Sequence, residues 1–417
     1  MLTLLPNEHW DFSLRDTFLG LLTALARQTR TAGTSLPIPE LGLCLAVRSA
    51  RAAIVLALKA LALPPGARIG VPLYCCPVVF KAIHAAGYKA RFLDVDTETY
   101  CLSPADLAAK RSEVDAVIAV HMFGNVCDMP RLREEAPRKP FIEDCAQSIG
   151  SRMNGSLAGS FGEIAVFSFR LGKYFSVGEG GALYTGATLL HHRLSEIVSE
   201  LPAAGRIEEC CHVGNTYLRS LLRTKPLWGL LGMRVWRRYN QRVKYEFKSP
   251  LVLGRIYETD RAATVRRLPL LDEWIKQQRM NAEFYLRNLA VDAGMLCTEK
   301  AGAFYNRLQF PLLTASREQC DQLAACLYEN NISTTRPYKD IAEVATTHYG
   351  YTGDCPQAER IAKTVIVIPC NYFLKQTDVQ RVSECVNRAW AQITGRRPRK
   401  SLSAMVQNEA RTATRTV

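Results

Sequence analysis

The sequence predicts an α/β fold, with a mostly parallel sheet covered by helices and a smaller C-terminal α/β unit. Two observations carry this expectation. From about residue 48 to 186, short β-branched apolar runs alternate with stretches of helical period, the pattern of a buried parallel sheet with crossover helices. The alternation resumes on a smaller scale after residue 300, beyond a long helix-like run at 262–289. In such sheets ligands collect outside the carboxyl ends of the strands.

The strand candidates of the first block are ARIGVPL, KARFLDV, VDAVIAV, KPFIED, EIAVFSF and GALYT, with helices at 52–62, 78–86 and 103–110 among them. Residues 1–45 are less regular, holding one helix at 14–28 and a Pro-rich link, LPIPELG. The second block reads as the strand YNRLQFPLL, a helix at 317–329, a loop at Arg336-Pro337, the strand TVIVIP and a helix at 377–390. No internal repeat is evident.

Composition bounds the functional classes. At 417 residues and 48% apolar content the chain is an ordinary globular protein with a sizeable core. No apolar run reaches the roughly 18 to 20 residues that span a bilayer. The start, MLTLLPNEHWDF, has an acid, no basic n-region and no cleavage site, so export is not expected and a cytoplasmic location is. The fourteen cysteines are scattered and read as reduced thiols, with neither a disulfide framework nor a metal site.

The formal charge of +14 suggests nucleic acid until it is located. Residues 216–250 hold nine Lys/Arg against one Glu, and residues 388–417 hold seven against one, so the remaining chain is neutral in total. The basicity belongs to appendages, and no nucleic-acid partner is expected. Residues 216–250 interleave Leu, Trp, Met and Val with Arg and Lys. That mixture suits a packed elaboration, a peripheral membrane contact with Arg and Lys reaching anionic headgroups, or a lid for an anionic substrate. The polar, basic last twenty residues have the composition of a disordered tail.

Four signals fall in order at strand ends. Val47-Arg48-Ser49-Ala50-Arg51 opens a helix whose free amides and positive dipole end suit a phosphate, with Arg51 adding charge. Val120-His121-Met122-Phe123-Gly124 offers an imidazole for proton transfer or for packing against a bound ring. Phe141-Ile142-Glu143-Asp144 ends in two acids before Cys145-Ala146-Gln147, and a carboxylate there can keep a pyridinium nitrogen protonated. Finally, a strand delivers Ser168, and Lys173 follows in a loop before Gly178-Glu179-Gly180-Gly181. Lysine forms imines with carbonyls when its surroundings lower its pKa. Each signal alone has a plainer meaning: Ser49 as a helix cap, Asp144 as a capping acid, Lys173 as a solvated charge, His121 as a satisfied core residue.

Together, VPLYCCP, FLDVDTETYCLSPADL, VHMFGNVCDM, IEDCAQSIGS, GEIAVFSFRLGK and GEGGAL, in this order, resemble the DegT/StrS-type family of pyridoxal-phosphate (PLP) dependent sugar aminotransferases. The resemblance continues through 262–289, PQAE at 356–359 and VIP at 367–369, and covers nearly all of residues 45–390. It implies the aspartate-aminotransferase-like architecture, fold type I. The expected division is an N-terminal segment (1–45), a large PLP-binding domain (46–260) carrying the 216–250 insertion, a long helix with a small C-terminal domain (261–395), and the tail (396–417).

The resemblance makes Lys173 the Schiff-base lysine and general acid/base, Asp144 the pyridine-nitrogen carboxylate, Gln147 the neighbour of the ring hydroxyl and Ser168 a phosphate ligand. Ala50 and Arg51 occupy the phosphate turn, and His121 lies near the pocket. At the ring-stacking position stands Cys76, with Tyr74 two residues before it, and either is a candidate for facing the cofactor. The asparagine that relatives extend to the neighbouring protomer has no counterpart at Leu253-Gly254-Arg255, with Asn215 an alternative; a homodimer is still implied. The implied reaction moves an amino group from L-glutamate to a keto-sugar, expected to be carried on a nucleotide, for polysaccharide or glycoconjugate synthesis. A PLP-dependent sugar dehydratase, or a non-catalytic regulatory member at a membrane, is the alternative.

Overall fold

A computed structural model describes residues 4–8, 10–26, 34–224, 227–232 and 251–395. In chain order the elements are α1 (Leu14–Ala26), β1 (Ser35–Ile38), β2 (Gly42–Val47), α2 (Ala50–Ala60), β3 (Arg68–Pro72), α3 (Val78–Ala85), β4 (Lys89–Leu93), α4 (Pro104–Lys110), β5 (Ala116–Val120), α5 (Met129–Glu135) and β6 (Phe141–Asp144). There follow β7 (Arg152–Met153), β8 (Ser156–Leu157), β9 (Ile164–Ser168), β10 (Gly181–Tyr184), α6 (Thr188–Ser199) and α7 (Arg206–Leu221). The C-terminal part holds α8 (Glu258–Arg267), α9 (Leu271–Asn288), β11 (Ala303–Phe304), β12 (Phe310–Leu313), α10 (Arg317–Glu329), α11 (Ile341–Tyr349), α12 (Pro356–Thr364), β13 (Val365–Ile368) and α13 (Gln376–Thr394).

The main sheet runs β1-β2-β10-β9-β6-β5-β3-β4. Its pairs from β4 through β9 are parallel, and β10, β2 and β1 close one side with antiparallel pairs. The central strand β5, AVIAV, is buried at every position, because helices cover both faces. All six expected strands of the first block are present. The parallel register sets Val120 of β5 opposite Asp144 of β6, and Asp144 opposite Val166 of β9, so three strand ends open at one level.

Three expectations are corrected. The Pro-rich link is a hairpin: β1 pairs with β2 from Ser35↔Leu45 to Ile38↔Gly42, and β2 joins the main sheet through β10. Its turn uses left-handed backbone at Glu40 and Gly42. Pro37 is tolerated because β1 is an edge strand. A boundary at residue 45 therefore cuts through β2. Second, the helical run at 262–289 is two helices parted by a tight turn at Leu268–Leu270, where Pro269 cannot donate the hydrogen bond a continuous helix needs. Third, residues 216–221 are the end of α7 rather than the start of an insertion.

Beyond α7, Trp228 is buried with Leu4 and Tyr328, so this stretch packs on the body. The expectations placed on 233–250, and the tail at 396–417, lie outside the described residues. Among the described residues no helix is long and apolar enough to cross a membrane. A second apolar cluster, including Tyr285, Phe310, Leu323, Ile366, Val382 and Trp390, forms the core of the C-terminal layer. None of the fourteen cysteines is in a disulfide.

Candidate active site

One cavity, of about 150 Å³, gathers Ala50, Arg51, Cys76, His121, Asp144, Gln147, Ser168 and Lys173, together with Arg170, Glu179 and Tyr338. Eight of the nine residues singled out from the sequence thus share one space. A larger cavity of about 460 Å³ lies between the β1–β2 turn and α9. Its Glu40 is paired with Arg152, and its Arg279 with Glu299. Size does not decide between them; the buried amine and carboxylate do.

Lys173 sits in a loop closed on itself: its N–H donates to Arg170 O at 3.0 Å, and Val177 N–H donates to Phe169 O at 3.0 Å. Burial pushes the Lys173 amine down to about 8, Arg170 adds to the effect, and the charge of Asp144 opposes it. An amine so lowered is far more often a free base near neutrality than a solvated lysine. Behind it, Gly172 has a left-handed backbone, and a Cβ there would lie 3.0 Å from Glu8 Oε2 and 3.2 Å from Trp10 Nε1. The N-terminal segment therefore backs the lysine loop.

Asp144 and Glu143 leave β6 on opposite faces because strand side chains alternate. Asp144 Oδ1 accepts a single hydrogen bond, from Ala146 N–H at 3.0 Å. Burial raises its pKa, against the pull of that hydrogen bond and of Lys173 and His121. A cation placed against it would reverse the shift.

Glu143 is fully buried and saturated. Its Oε1 accepts from Phe161 N–H (2.7 Å) and Gly162 N–H (2.5 Å), and its Oε2 from Gly159 N–H (2.8 Å). His121 Nε2 lies 3.0 Å from Oε2. Because Cys127 N–H donates to His121 Nδ1 at 3.0 Å, the ring proton is on Nε2 and points at Glu143. Both ring nitrogens are engaged within the protein, and His121 lines the cavity. His121, Glu143 and Cys145 also lie close enough to suit a metal ion, but Glu143 is already filled by donors.

The remaining residues are held by the same elements. Gln147 Oε1 accepts from Phe123 N–H at 3.2 Å and its Nε2 donates to Met122 Sδ at 3.3 Å, which fixes the orientation of the amide. Helix α2 begins against β10: a Cβ on Gly181 would lie 2.5 Å from Ala50 N and 2.6 Å from the Ser49 carbonyl carbon. Only glycine allows that approach, and it brings the helix N-terminus to the cavity. Ser49 caps the helix by accepting from Ala52 N–H. The next glycine turn is fixed by Asp260, whose Oδ2 accepts from Glu179 N–H at 3.0 Å and lies 2.8 Å from His212 Nε2. Burial works against charge on His212, but Asp260 outweighs it and raises the pKa.

Tyr74 is not among the residues lining the cavity. It is fully buried, and its hydroxyl donates to Pro337 O at 3.2 Å. Cys76 is there, and so is Tyr338, which the sequence reading missed; the nearby Arg336-Pro337 was noted only as a loop. Asn215 lies exposed on α7, and Arg48 N–H donates to Gly254 O at 2.8 Å, so residues 254–255 run beside the end of β2.

Residues 40–387 match the DegT/DnrJ/EryC1/StrS aminotransferase family. The chain belongs to this family. A pleiotropic regulatory protein of Geobacillus stearothermophilus is 28% identical over 345 residues, covering 80% of this chain and 81% of that one. The UDP-N-acetyl-3-dehydro-alpha-D-glucosamine 3-aminotransferase of Acidithiobacillus ferrooxidans is 27% identical over 350 residues, 81% of each. Among solved structures, S. venezuelae DesV in complex with a ketimine intermediate superposes with a TM-score of 0.68 at 25% identity, covering 91% of this chain and 95% of that one. The architecture is fold type I, and the family's cofactor is pyridoxal phosphate.

The cavity fits that cofactor by the chemistry of its donors. An amine lowered towards neutrality, a buried carboxylate with spare acceptor capacity, an oriented amide nitrogen and a helix N-terminus with an arginine and a serine line the same space.

Proposed function

We propose that this member of the aminotransferase family takes an amino group from an amino acid, L-glutamate, and transfers it to a keto-sugar carried on a nucleotide. The observation that supports this most directly is the placement of Lys173 and Asp144 on one cavity whose rim holds the start of α2. Bound pyridoxal phosphate would supply a carbonyl for the amine and an electron sink for the carbanion at the amino-bearing carbon. In this reading Lys173 Nζ is both the covalent anchor and the base that moves the proton at the substrate carbon. Asp144 holds the proton on the ring nitrogen, and Gln147 Nε2 donates to the ring oxygen. The α2 amides, Arg51 and Ser168 hold the phosphate, while His121 shapes the wall.

The test is a half-reaction. Glutamate added to the holoenzyme should bleach the visible band and release 2-oxoglutarate, and mass spectrometry of pooled keto-sugar nucleotides should find one that gains an amine. Ping-pong kinetics are expected. A protein that binds the cofactor but leaves the band unchanged with every amino donor would favour a regulatory role, the reading suggested by the Geobacillus relative. A sugar that loses water without gaining nitrogen would favour dehydration.

The same reading includes a cytoplasmic homodimer serving polysaccharide synthesis. It also includes a peripheral contact of residues 216–250 with anionic membrane, supported by the exposed Leu218, Leu230 and Leu231 and by the Arg and Lys that the sequence interleaves with apolar residues there. Sedimentation of the protein with and without anionic vesicles checks both assembly and contact.

A further inference from the structure

Among the described residues lining the cavity, the one benzenoid ring is that of Tyr338. It belongs to neither the β3 end nor any other strand of the main sheet. Tyr338 follows Thr335, which bridges to Val367 of β13, and precedes α11, so it reaches the cavity from the C-terminal layer. Its backbone has φ 58, a left-handed conformation unusual for a bulky side chain.

The surroundings hold it there. Tyr74 donates its hydroxyl to Pro337 O at 3.2 Å and meets the Tyr338 ring edge-on, with centroids 5.7 Å apart and planes at 73°. Tyr74 is in turn set against Phe123, centroids 6.2 Å apart. Cys76 borders the same part of the cavity but has a single sulfur to offer. His121, the other flat ring, is anchored at both nitrogens on the β5 side.

We propose that Tyr338, braced by Tyr74, is the flat surface that covers one face of the bound pyridine ring, and that cofactor binding thereby pins the C-terminal layer onto the strand ends. A conjugated ring gains from an aromatic face, and among the described residues no large-domain side chain on this cavity provides a benzenoid one. The inference rests on the proposed presence of pyridoxal phosphate in this cavity.

The experiment titrates the apo-protein with pyridoxal phosphate, following visible absorption, induced circular dichroism and hydrogen exchange in α11. Tyr338→Ala should weaken binding about 10-fold, reduce the induced dichroism and abolish the protection of α11 that the cofactor brings. Tyr338→Phe should behave like the parent protein. Tyr74→Phe, which removes the bond to Pro337, should fall between them. Adding Cys76→Phe to Tyr338→Ala should restore affinity and dichroism by supplying a ring from the large domain, but not the protection of α11. Tyr338→Ala that binds with unchanged affinity and dichroism overturns the proposal while leaving the cofactor reading intact. Tyr338→Phe as damaging as Tyr338→Ala also overturns it, by showing that the hydroxyl is what matters. No visible band in the parent protein overturns the cofactor reading, and this proposal with it.

Discussion

Along β6, Glu143 turns to the side where His121 and the 159–162 turn approach it, and Asp144 turns into the cavity. The first carboxylate accepts three backbone N–H groups and faces an imidazole N–H; the second accepts one backbone N–H. Both are buried. The difference teaches how a fold separates structural from chemical carboxylates: a buried acid with every acceptor site filled ties elements together, whereas one with spare capacity beside a lowered amine is available to a ligand.

The largest effect expected on the cavity side is that of Lys173→Ala. It should remove the visible band and lower the half-reaction rate on the order of 10⁴-fold or more, with the melting temperature nearly unchanged. Stopped-flow absorbance and calorimetry together check it; retained turnover would end the assignment of Lys173 as anchor.

The sharpest contrast pairs Asp144→Asn with Glu143→Gln. Asp144→Asn should cost roughly 10²-fold in turnover and little stability, since burial already disfavours the charge. Glu143→Gln places an amide donor among backbone donors and should cost about 2 to 3 kcal/mol of stability, read by urea unfolding. Equal effects of the two on stability would break the comparison.

Next is a pH dependence. With Lys173 lowered to about 8, capture of pyridoxal phosphate by the apo-protein should accelerate with rising pH and level off above pH 8, well below the range of a solvated lysine. Arg170→Gln removes a cation that lowers the amine, so the midpoint should rise. Asp144→Asn removes an anion that raises it, so the midpoint should fall. Rates of band formation across pH 6 to 10, a range chosen to bracket roughly two units either side of the midpoint, give both signs.

The smallest effect expected is that of Gly181→Ala. The added Cβ meets Ala50 N at 2.5 Å, and pushing α2 away should cost about 1 to 3 kcal/mol and weaken cofactor affinity several-fold. Unchanged affinity would mean that the α2 N-terminus does not serve the phosphate.

The sequence by itself determined the strands, their helical partners and the residue types at their ends, because burial on both faces of a sheet writes a short-range pattern. The placement of Asp144, Ser168 and Lys173 at or just beyond strand ends was legible in this way, whereas Gln147 was singled out by the resemblance to the family; all four line one cavity. The hairpin at 35–47 was not legible, since Pro37 and Pro39 look like a link until β10 supplies the partner that makes β2 a sheet strand. The use of His121 was hidden as well: its tautomer follows from the Cys127 N–H and the Glu143 carboxylate, not from its own position. Only the tertiary structure chose Tyr338 over Tyr74, because the brace between Tyr74 and Pro337 joins positions 263 residues apart. Local sterics and periodicity fix elements, while the lining of a cavity depends on which distant side chains packing leaves beside it.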